Sequence, residues 1–406
     1  MTDSERTTTE STTEKSTIPD ESTGETTREE RTVDGRDDES DPMLTIEDLE
    51  VYYETEEGAV HAVDGVNLRI YPQETIGLVG ESGCGKTTLS KAIIRLLATN
   101  GAVVGGTIMY DDTDLASLKM KDLKRNIRWE EISMIPQNAM NGFDPVYTIA
   151  DQIVEAMQAH KPSVSKKEAR ERGKELFEKL GIDEERIDDY PHQFSGGMAQ
   201  RAMVALALCL QPSLVLADEP TTALDVVIQD RLLREIQSLQ EEFNSSMLLV
   251  THDMSVVSET CDSIAVMYGG RIVEHADART IIKNPRHPYT LGLRNSFPDI
   301  TAEDQELISI PGVPPNLVDP GEGCRFAPRC PFAEERCWEE TPEPEVYDGD
   351  HVVECHRADE AEYLRREAAK EETWLEMRDE EEGPITESGG SPGSSSAVTD
   401  GGADDD

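Results

Sequence analysis

TIGLVGESGCGKTT, residues 75–88, is the stretch of sequence that decides the fold. Its first five residues form a short apolar run typical of a buried strand, and the run from Leu89 to Leu97 that follows has helical spacing. The residues between them match G-x-x-x-x-G-K-[ST], the P-loop pattern. Glycines allow successive backbone N–H groups to turn inward, and the start of a helix offers its positive end to an anion. The stretch therefore predicts a phosphate cradle between a strand and a helix.

The loop supplies the first candidate binding residues. They are Gly80, Ser82, Gly83, Cys84, Gly85, Lys86, Thr87 and Thr88. We expect Lys86 to reach the β- and γ-phosphates of a nucleotide and the Thr87 hydroxyl to bind Mg²⁺. Cys84 is interpreted as a tolerated small residue, with a redox role as the alternative, and Cys209 and Cys261 as core thiols.

Composition sets limits on the class of protein. The 406 residues can hold two or three domains, and 36% of them are apolar, enough for a core. The 84 acidic and 38 basic residues leave a formal net charge of −46. Self-repulsion of this charge would destabilise a compact fold at low salt, whereas near 1 M salt the screening length is only about 3 Å. The simplest interpretation is therefore a protein from a salt-accumulating halophile. Acidic tails alone explain only part of the charge, because the segments 183–185 and 241–242 are acidic too.

The same features predict partners and location. A surface this acidic repels phosphate backbones, which argues against nucleic acid as the main partner. No apolar stretch reaches the ~18 to 20 residues needed to span a bilayer, and the first residues lack the basic start of a signal peptide. We therefore expect an intracellular chain, whose seven cysteines are thiols or metal ligands rather than disulfides.

Pattern changes along the chain predict four segments. Residues 1–42 and 379–406 contain almost no large apolar side chains and are expected to be disordered. Residues 43–283 begin with alternating strands typical of an antiparallel sheet, contain a helical insert over about 138–212, and otherwise alternate strand and helix, which predicts a mostly parallel α/β sheet. A Pro- and Cys-bearing extension follows over 284–378.

Two carboxylates follow another buried strand. The apolar run 214–217 ends at Asp218 and Glu219. Asp218 could hold Mg²⁺, directly or through water, and Glu219 could polarise an attacking water. Taken alone, such a pair is more often a helix start or a solvated edge, but the P-loop favours the catalytic interpretation.

Four more segments, in the expected order, resemble signature elements of ABC-type ATPases. The sequence FSGGMAQR at 194–201 resembles the family's signature, Gln137 its Q-loop glutamine, TALD at 222–225 its D-loop, and THD at 251–253 its switch histidine. The resemblance covers about residues 43–279. It implies an α/β fold with a P-loop ABC ATPase core, an N-terminal antiparallel β subdomain, a helical insert and a small Cys-bearing C-terminal extension. It also implies ATP as the substrate.

The resemblance assigns roles to these residues. Ser195, Gly196 and Gly197 would form a second anion site that closes over ATP held by an opposite subunit, which implies a dimer. His252 would contact the γ-phosphate, Gln137 would sense Mg²⁺ and the membrane partner, and Asp225 belongs to the D-loop. Tyr53, with Tyr52 as its rival, would stack on adenine. Met198 stands where the family usually has glutamine.

The extension has a resemblance of its own. HPYTLGL at 287–293 and IPGVPP at 310–315 are similar to the C-terminal region of ATP-binding subunits of oligopeptide and dipeptide importers. Four cysteines follow, Cys324, Cys330, Cys337 and Cys355, enough ligands for one metal centre. The resemblance implies a structural [4Fe–4S] cluster, with Zn²⁺ as the alternative and unliganded thiols as the third possibility.

The resemblance as a whole implies the ATP-hydrolysing subunit of a peptide-type importer. It would act at the cytoplasmic face of the membrane with two permease subunits, a second ATPase (a copy or a paralogue) and an extracytoplasmic solute-binding protein. The cargo stays open between dipeptides, oligopeptides, nickel chelates and oligosaccharides. A soluble ABC ATPase of DNA repair or translation is the alternative, although its usual coiled-coil insert or second ATPase unit is missing. A silent binding module is disfavoured by Lys86, Asp218, Glu219 and His252.

Overall fold

The computed structural model describes residues 41–221, 225–296 and 308–375. The tails predicted to be disordered lie outside the described residues, apart from positions 41 and 42. The strands are β1 Leu44–Thr55, β2 Gly58–Ile70, β3 Thr75–Val79, β4 Gly101–Tyr110, β5 Thr113–Asp114, β6 Ile132–Ile135, β7 Leu214–Asp218, β8 Ser246–Thr251, β9 Ser263–Tyr268, β10 Arg271–Asp277, β11 Glu345–Tyr347 and β12 His351–Val353. The α-helices are α1 Lys86–Ile93, α2 Met120–Asp122, α3 Ala139–Gly142, α4 Ile149–His160, α5 Lys166–Lys179, α6 Gly196–Leu208, α7 Val226–Phe243, α8 Met254–Thr260, α9 Ala278–Lys283, α10 Pro288–Asn295, α11 Glu335–Glu339 and α12 Ala361–Ala368.

A four-stranded antiparallel sheet, in the order β2-β1-β4-β5, is formed by two strands before the P-loop and two after it. The alternating pattern predicts short strands at 44–46, 49–53, 60–63 and 66–70. The structure instead has one continuous strand, β1, over the first two segments and another, β2, over the last two. The predicted breaks are register shifts in the pairing of β1 with β2, between Ile46 and Leu49 and between Leu49 and Val51. Such bulges bend a strand without ending it. The predicted antiparallel subdomain is confirmed.

The second sheet has eight strands in the order β11-β12-β10-β9-β3-β8-β7-β6. Its inner strands are parallel, with Val79 opposite Thr251 and Asp218 opposite Val250. The carboxyl ends of β3, β7 and β8 therefore meet at one edge, where ligands bind in sheets of this kind. This register brings the P-loop and the segments after β7 and β8 together, although they are far apart in sequence.

The core lies on both faces of the larger sheet. Because side chains alternate along a strand, Leu216 and Leu248 pack on the face that also holds β1 and α1. Val215 and Leu249 pack on the opposite face, against the helical segments. The mixed α/β class predicted from the sequence is confirmed.

The helical insert consists mainly of α4, α5 and α6, packed on that second face. Helix α4 begins where the Thr148 side chain accepts a hydrogen bond from the Asp151 N–H, and α5 begins in the same way at Ser165. Gly173 of α5 leaves room for a neighbour, since a Cβ there would lie 2.6 Å from Ile187 Cδ1. Within the described residues, no helix combines the length and the apolar character needed to cross a membrane.

The extension adds to the larger sheet. Strand β12 pairs antiparallel with β10, with Val353 opposite Glu274, and β11 pairs with β12. Glu274 of β10 is fully buried, and its carboxylate lies 2.7 Å from the His351 imidazole. Part of the extension is thus built directly onto the sheet that carries the P-loop.

Candidate active site

The P-loop adopts a conformation that requires glycine. Gly85 has φ 112°, and a Cβ at this position would lie 2.1 Å from the backbone oxygen of Ala62. Gly83 has φ 82°. Both values lie in the region that L side chains rarely adopt. The loop can therefore approach the neighbouring backbone closely just before helix α1 begins at Lys86.

Lys86 is 5% exposed and lies under the loop. Its ammonium donates to the backbone oxygens of Gly80 and Glu81, each over 2.8 Å. Both acceptors are neutral carbonyls, so the positive charge is available to an anion held by the loop. The Cys84 thiol lies 3.7 Å from the same ammonium, and burial raises the pKa of this thiol.

Thr87 and Asp218 face each other across the sheet edge. The Thr87 hydroxyl donates to Asp218 Oδ1 over 2.9 Å, and Asp218 is 2% exposed. Burial raises the pKa of the Asp218 carboxyl above its ordinary value. A hydroxyl and a carboxylate oxygen are ligands that suit Mg²⁺, so this pair fits the ion that the sequence predicts.

Glu219 lies between two polar side chains. Gln137 Nε2 donates to Glu219 Oε2 over 2.8 Å, and His252 Nδ1 lies 3.4 Å from Glu219 Oε1. The backbone of Glu219 has φ 45°, which is costly for a residue with a Cβ. Its N–H donates to Val250 O over 2.9 Å, which anchors the turn to β8. The side chain of Glu219 is 17% exposed, and that of His252 is 67% exposed.

Tyr53 contacts the P-loop helix. Its hydroxyl oxygen lies 3.4 Å from that of Thr88. Tyr52 instead stacks on His61, with ring centroids 3.8 Å apart, and donates to Asp64. Burial raises the pKa of Tyr52 to about 12. Of the two candidate tyrosines, Tyr53 is therefore the one in contact with a residue of the loop.

The signature segment opens α6 on an exposed surface. Ser195 precedes the first turn, and both Ser195 and Gly196 are exposed. A Cβ on Gly196 would meet nothing within 4 Å, so the surface beside this residue is open. Gly197 is half-buried behind it, and the Met198 sulfur lies 3.3 Å from the Arg186 guanidinium, away from the helix start. The segment presents free N–H groups of a 13-residue helix to solvent.

The D-loop is described only at its end. Positions 222–224 lie outside the described residues. Asp225 begins α7, with its carboxylate accepting from the Ile228 N–H over 3.1 Å.

Sequence reasoning missed two residues that contact the loop from the extension. The Arg329 guanidinium binds the Glu81 carboxylate, and the Tyr289 hydroxyl accepts from the Glu81 N–H over 2.8 Å. A buried arginine needs a partner, and Arg329 is 4% exposed. No local pattern in the sequence names that partner, since Glu81 is 248 residues away.

The predicted [4Fe–4S] cluster of the extension is wrong, and the described residues give no support to the zinc alternative. Among the residues that the structure describes, no group of three or more His, Cys, Asp or Glu side chains is arranged to hold a metal ion. The cysteines Cys324, Cys330, Cys337 and Cys355 are free thiols around a cavity of about 20 Å³, room for about one water molecule. Burial raises the pKa of Cys324 to about 11 and that of Cys355 to about 12, so both stay protonated at neutral pH.

Two family models match the chain. Residues 63–222 match the model described as ABC transporter. Residues 273–337 match the model described as the C-terminal region of oligopeptide/dipeptide transporters.

Curated relatives resemble most of the chain. A probable peptide ABC transporter ATP-binding protein of Sinorhizobium fredii is 43% identical over 79% of this chain and 96% of its own length. The oligopeptide transport ATP-binding protein OppD of Escherichia coli is 41% identical over 77% of this chain and 92% of its own. The dipeptide transport ATP-binding protein DppD of Bacillus subtilis is 41% identical over 78% and 95%, respectively.

Solved structures share the fold. A dimeric ATP-binding cassette in a post-hydrolysis state with ADP and Pi has a TM-score of 0.54 at 26% identity, covering 58% of this chain and 99% of that one. CbiO1 of Clostridium perfringens, part of an ABC transporter complex, has a TM-score of 0.51 at 25% identity, covering 63% and 96%.

Proposed function

The chain belongs to the family of ATP-binding subunits of oligopeptide and dipeptide ABC transporters, and from this premise we propose that it hydrolyses ATP to energise uptake of peptides through a membrane permease. The ATPase activity follows from family membership. The residues that perform it, the partners and the peptide cargo are the proposed part. The observation that carries the proposal is the Glu219 carboxylate held between Gln137 and His252 beside the Thr87–Asp218 pair.

Separate residues of the site bind the phosphates, the adenine and the metal ion. Lys86 and the amides of the loop bind the β- and γ-phosphates of ATP, and Tyr53 offers its ring to the adenine. Thr87 and Asp218 would hold Mg²⁺, with Gln137 within reach of the same edge. A bound Mg²⁺ supplies charge neutralisation at the transferred phosphate.

Glu219 acts on water. Its carboxylate accepts a proton from the water that attacks the γ-phosphate, while the Gln137 amide fixes the orientation of the carboxylate. His252 is the more exposed member, and its imidazole is free to turn from Glu219 to the γ-phosphate. General-base assistance of this kind contributes about 10² to 10⁴ in rate.

Hydrolysis requires two chains in this proposal. The exposed start of α6 at Ser195, Gly196 and Gly197 is an anion site that faces outward. In a dimer each of these sites closes on the ATP in the partner's P-loop, and Asp225 lies beside that interface. The partner is a second ATPase, a copy or a paralogue.

Exposed apolar residues beside Gln137 suit a permease contact. Met140 is 42% exposed, Val146 70% and Tyr147 51%, all within ten residues of the glutamine that touches Glu219. Exposed apolar side chains are a feature of interaction surfaces, so this segment is our candidate for the permease contact. We place the chain at the cytoplasmic face of the membrane, on two permease subunits that receive peptide from an extracytoplasmic solute-binding protein.

The acidic composition supports adaptation to high salt. With 84 acidic and 38 basic residues, self-repulsion opposes the compact state at low ionic strength and is screened near 1 M. If the chain comes from a halophile, its ATPase rate and free energy of unfolding both rise as KCl increases from 0.1 M to molar concentrations. Lower stability in molar KCl would count against that origin.

Purification of the tagged chain from its source membranes in molar salt tests the transport proposal. We expect multi-spanning permease subunits and a second ATPase to co-purify, and peptide with its solute-binding protein to stimulate ATP hydrolysis. Val146→Glu should reduce the recovered permease at least about tenfold. Val346→Glu is the matched control, because Val346 is also exposed, at 68%, but lies on the edge of the extension. A particle without permease whose ATPase is stimulated by nucleic acid would support the soluble alternative instead.

A further inference from the structure

The extension binds the P-loop through an ion pair between a buried arginine and a half-buried glutamate. Arg329 Nη1 donates to Glu81 Oε2 over 2.6 Å, and Nη2 donates to Oε1 over 2.9 Å. The pair is bidentate, which is the strong geometry for a guanidinium and a carboxylate. The Arg329 side chain is 5% exposed and that of Glu81 is 26% exposed. The first variable residue of the P-loop thus has its charge partner in the extension.

Arg329 is itself held rigidly. Its Nε donates to Pro311 O over 2.7 Å, and its Nη1 lies 3.3 Å from the Tyr268 hydroxyl. The ring of Tyr268 packs edge-on against Phe326, with centroids 5.2 Å apart. The guanidinium therefore has little freedom to follow a displaced carboxylate.

A second contact fixes the backbone of the same P-loop residue. The Glu81 N–H donates to the Tyr289 hydroxyl over 2.8 Å, while the Glu81 carbonyl accepts from the Lys86 ammonium over 2.8 Å. Tyr289 is fully buried, with its ring 5.4 Å from that of Phe326. The peptide unit between Gly80 and Glu81 thus donates to Tyr289 of the extension, and its Gly80 carbonyl accepts from the Lys86 ammonium over 2.8 Å.

The negative charge of Glu81 makes its contact with Arg329 important for ATP binding. Glu81 is an anion in a loop that binds a polyphosphate, so an unpaired Glu81 would repel the ligand. Arg329 neutralises that anion through the bidentate ion pair. A charge of this kind changes ligand affinity more than it changes the reaction of the bound ligand.

We propose that Arg329, supported by Tyr289, is a positioning residue for ATP binding, through which the extension sets the affinity of the P-loop. The proposal rests on the proposed role of the P-loop as the ATP site. By linkage, ATP binding also stabilises the docked extension to the same degree.

Full-length Arg329→Met, Glu81→Gln/Arg329→Met and Tyr289→Phe variants test it, with Kd for ATP·Mg measured by equilibrium dialysis and KM and kcat by phosphate release. We expect Arg329→Met to raise Kd and KM about tenfold or more, with kcat within about threefold of wild type. The double variant removes the repelling charge as well, so its Kd should return to within about threefold of wild type. Loss of packing alone would not be relieved by changing Glu81.

Control variants distinguish a failure of the role proposed for Arg329 from a failure of the proposed ATP site. Arg357→Met removes another half-buried arginine of the extension, which pairs with Glu360, and should leave Kd unchanged. Lys86→Ala should abolish binding if the P-loop is the ATP site, and retained binding would refute that site. If Lys86→Ala loses binding while Arg329→Met binds like wild type, the role of Arg329 alone is refuted.

Two further results would also refute the proposal. A double variant as weak as Arg329→Met refutes the electrostatic argument. If Arg329→Met does not fold, Tyr289→Phe removes only a hydroxyl, and we expect it to raise Kd about threefold. An unchanged Kd in that variant would refute the coupling.

Discussion

Gln137 and Glu219 are joined by a 2.8 Å hydrogen bond between segments 82 residues apart in the chain. The bond links the turn after β6 to the turn after β7, and His252, after β8, approaches the other carboxylate oxygen. Three neighbouring parallel strands thus each contribute one side chain to this cluster, with the Glu219 carboxylate at its centre.

Glu219→Gln should lower kcat for ATP hydrolysis at least about 100-fold, because the amide cannot accept the proton of the attacking water. Kd for ATP should stay within about threefold, since the shape of the site is kept. Phosphate release and equilibrium dialysis measure the two effects. Glu241→Gln, at an exposed position of α7, is the matched control and should not change either. Equal hydrolysis by Glu219→Gln and the control would remove Glu219 from the mechanism.

Asp218→Asn should lower Mg²⁺-dependent hydrolysis at least about 100-fold, because a neutral amide holds the ion weakly. The same variant should be more stable without ligand at pH 7. Burial raises the pKa of Asp218, so the wild-type free energy of unfolding falls as pH rises from its ordinary pKa through the raised one.

The gain in stability of Asp218→Asn should therefore shrink at pH values below about 3.9, where the carboxyl is protonated in both states. Thermal unfolding of ligand-free protein at neutral and acid pH measures this. Asp230→Asn, which changes a 51% exposed carboxylate on α7, is the control. A gain of equal size at both pH values would show that the added stability does not come from removing a buried charge.

Gly196→Asp should fold normally, since a Cβ there meets nothing within 4 Å and an acidic side chain is favourable at a helix start. Its negative charge should repel the γ-phosphate bound by the partner subunit. We expect Kd for ATP of the single chain to stay unchanged and hydrolysis by the dimer to fall at least about 100-fold. Gly321→Asp, at an equally open glycine of the extension, is the control. Wild-type turnover in Gly196→Asp would place the signature outside the reaction.

His287→Asn should reduce the acid sensitivity of the fold. His287 is 1% exposed, and its Nδ1 accepts from the Tyr289 N–H over 3.0 Å, which requires the neutral ring. Burial lowers the pKa of His287 to about 4. Its contribution to the free energy of unfolding is therefore present above pH 6.5 and is lost as pH falls toward 4.

Between pH 7 and pH 4, wild type should lose about 3 kcal/mol more than His287→Asn, whose amide keeps an acceptor at the start of α10. Denaturant titrations at several pH values measure the difference. His192→Asn, at an exposed histidine, should follow wild type. Parallel pH curves for wild type and His287→Asn would show that His287 does not titrate in this range.

Short-range pattern predicted much of the site. The P-loop, the pair Asp218 and Glu219 and the helix start at Ser195 are each made by neighbours in the chain. Their spacing alone sets where N–H groups, carboxylates and helix ends point. The prediction for the four cysteines failed for the opposite reason, because ligand number can be counted in a sequence but ligand geometry cannot.

The sequence by itself therefore determined the α/β class, the P-loop and the family, since these depend on periodicity and on motifs a few residues long. Only the tertiary structure decided which distant groups meet: Gln137 with Glu219, Tyr53 rather than Tyr52 with Thr88, and Arg329 with Glu81. Such contacts depend on strand order and register across the sheet, and on an extension that adds its strands to β10. Those are long-range choices of packing, made by the burial of both faces of the sheet, and no local spacing encodes them.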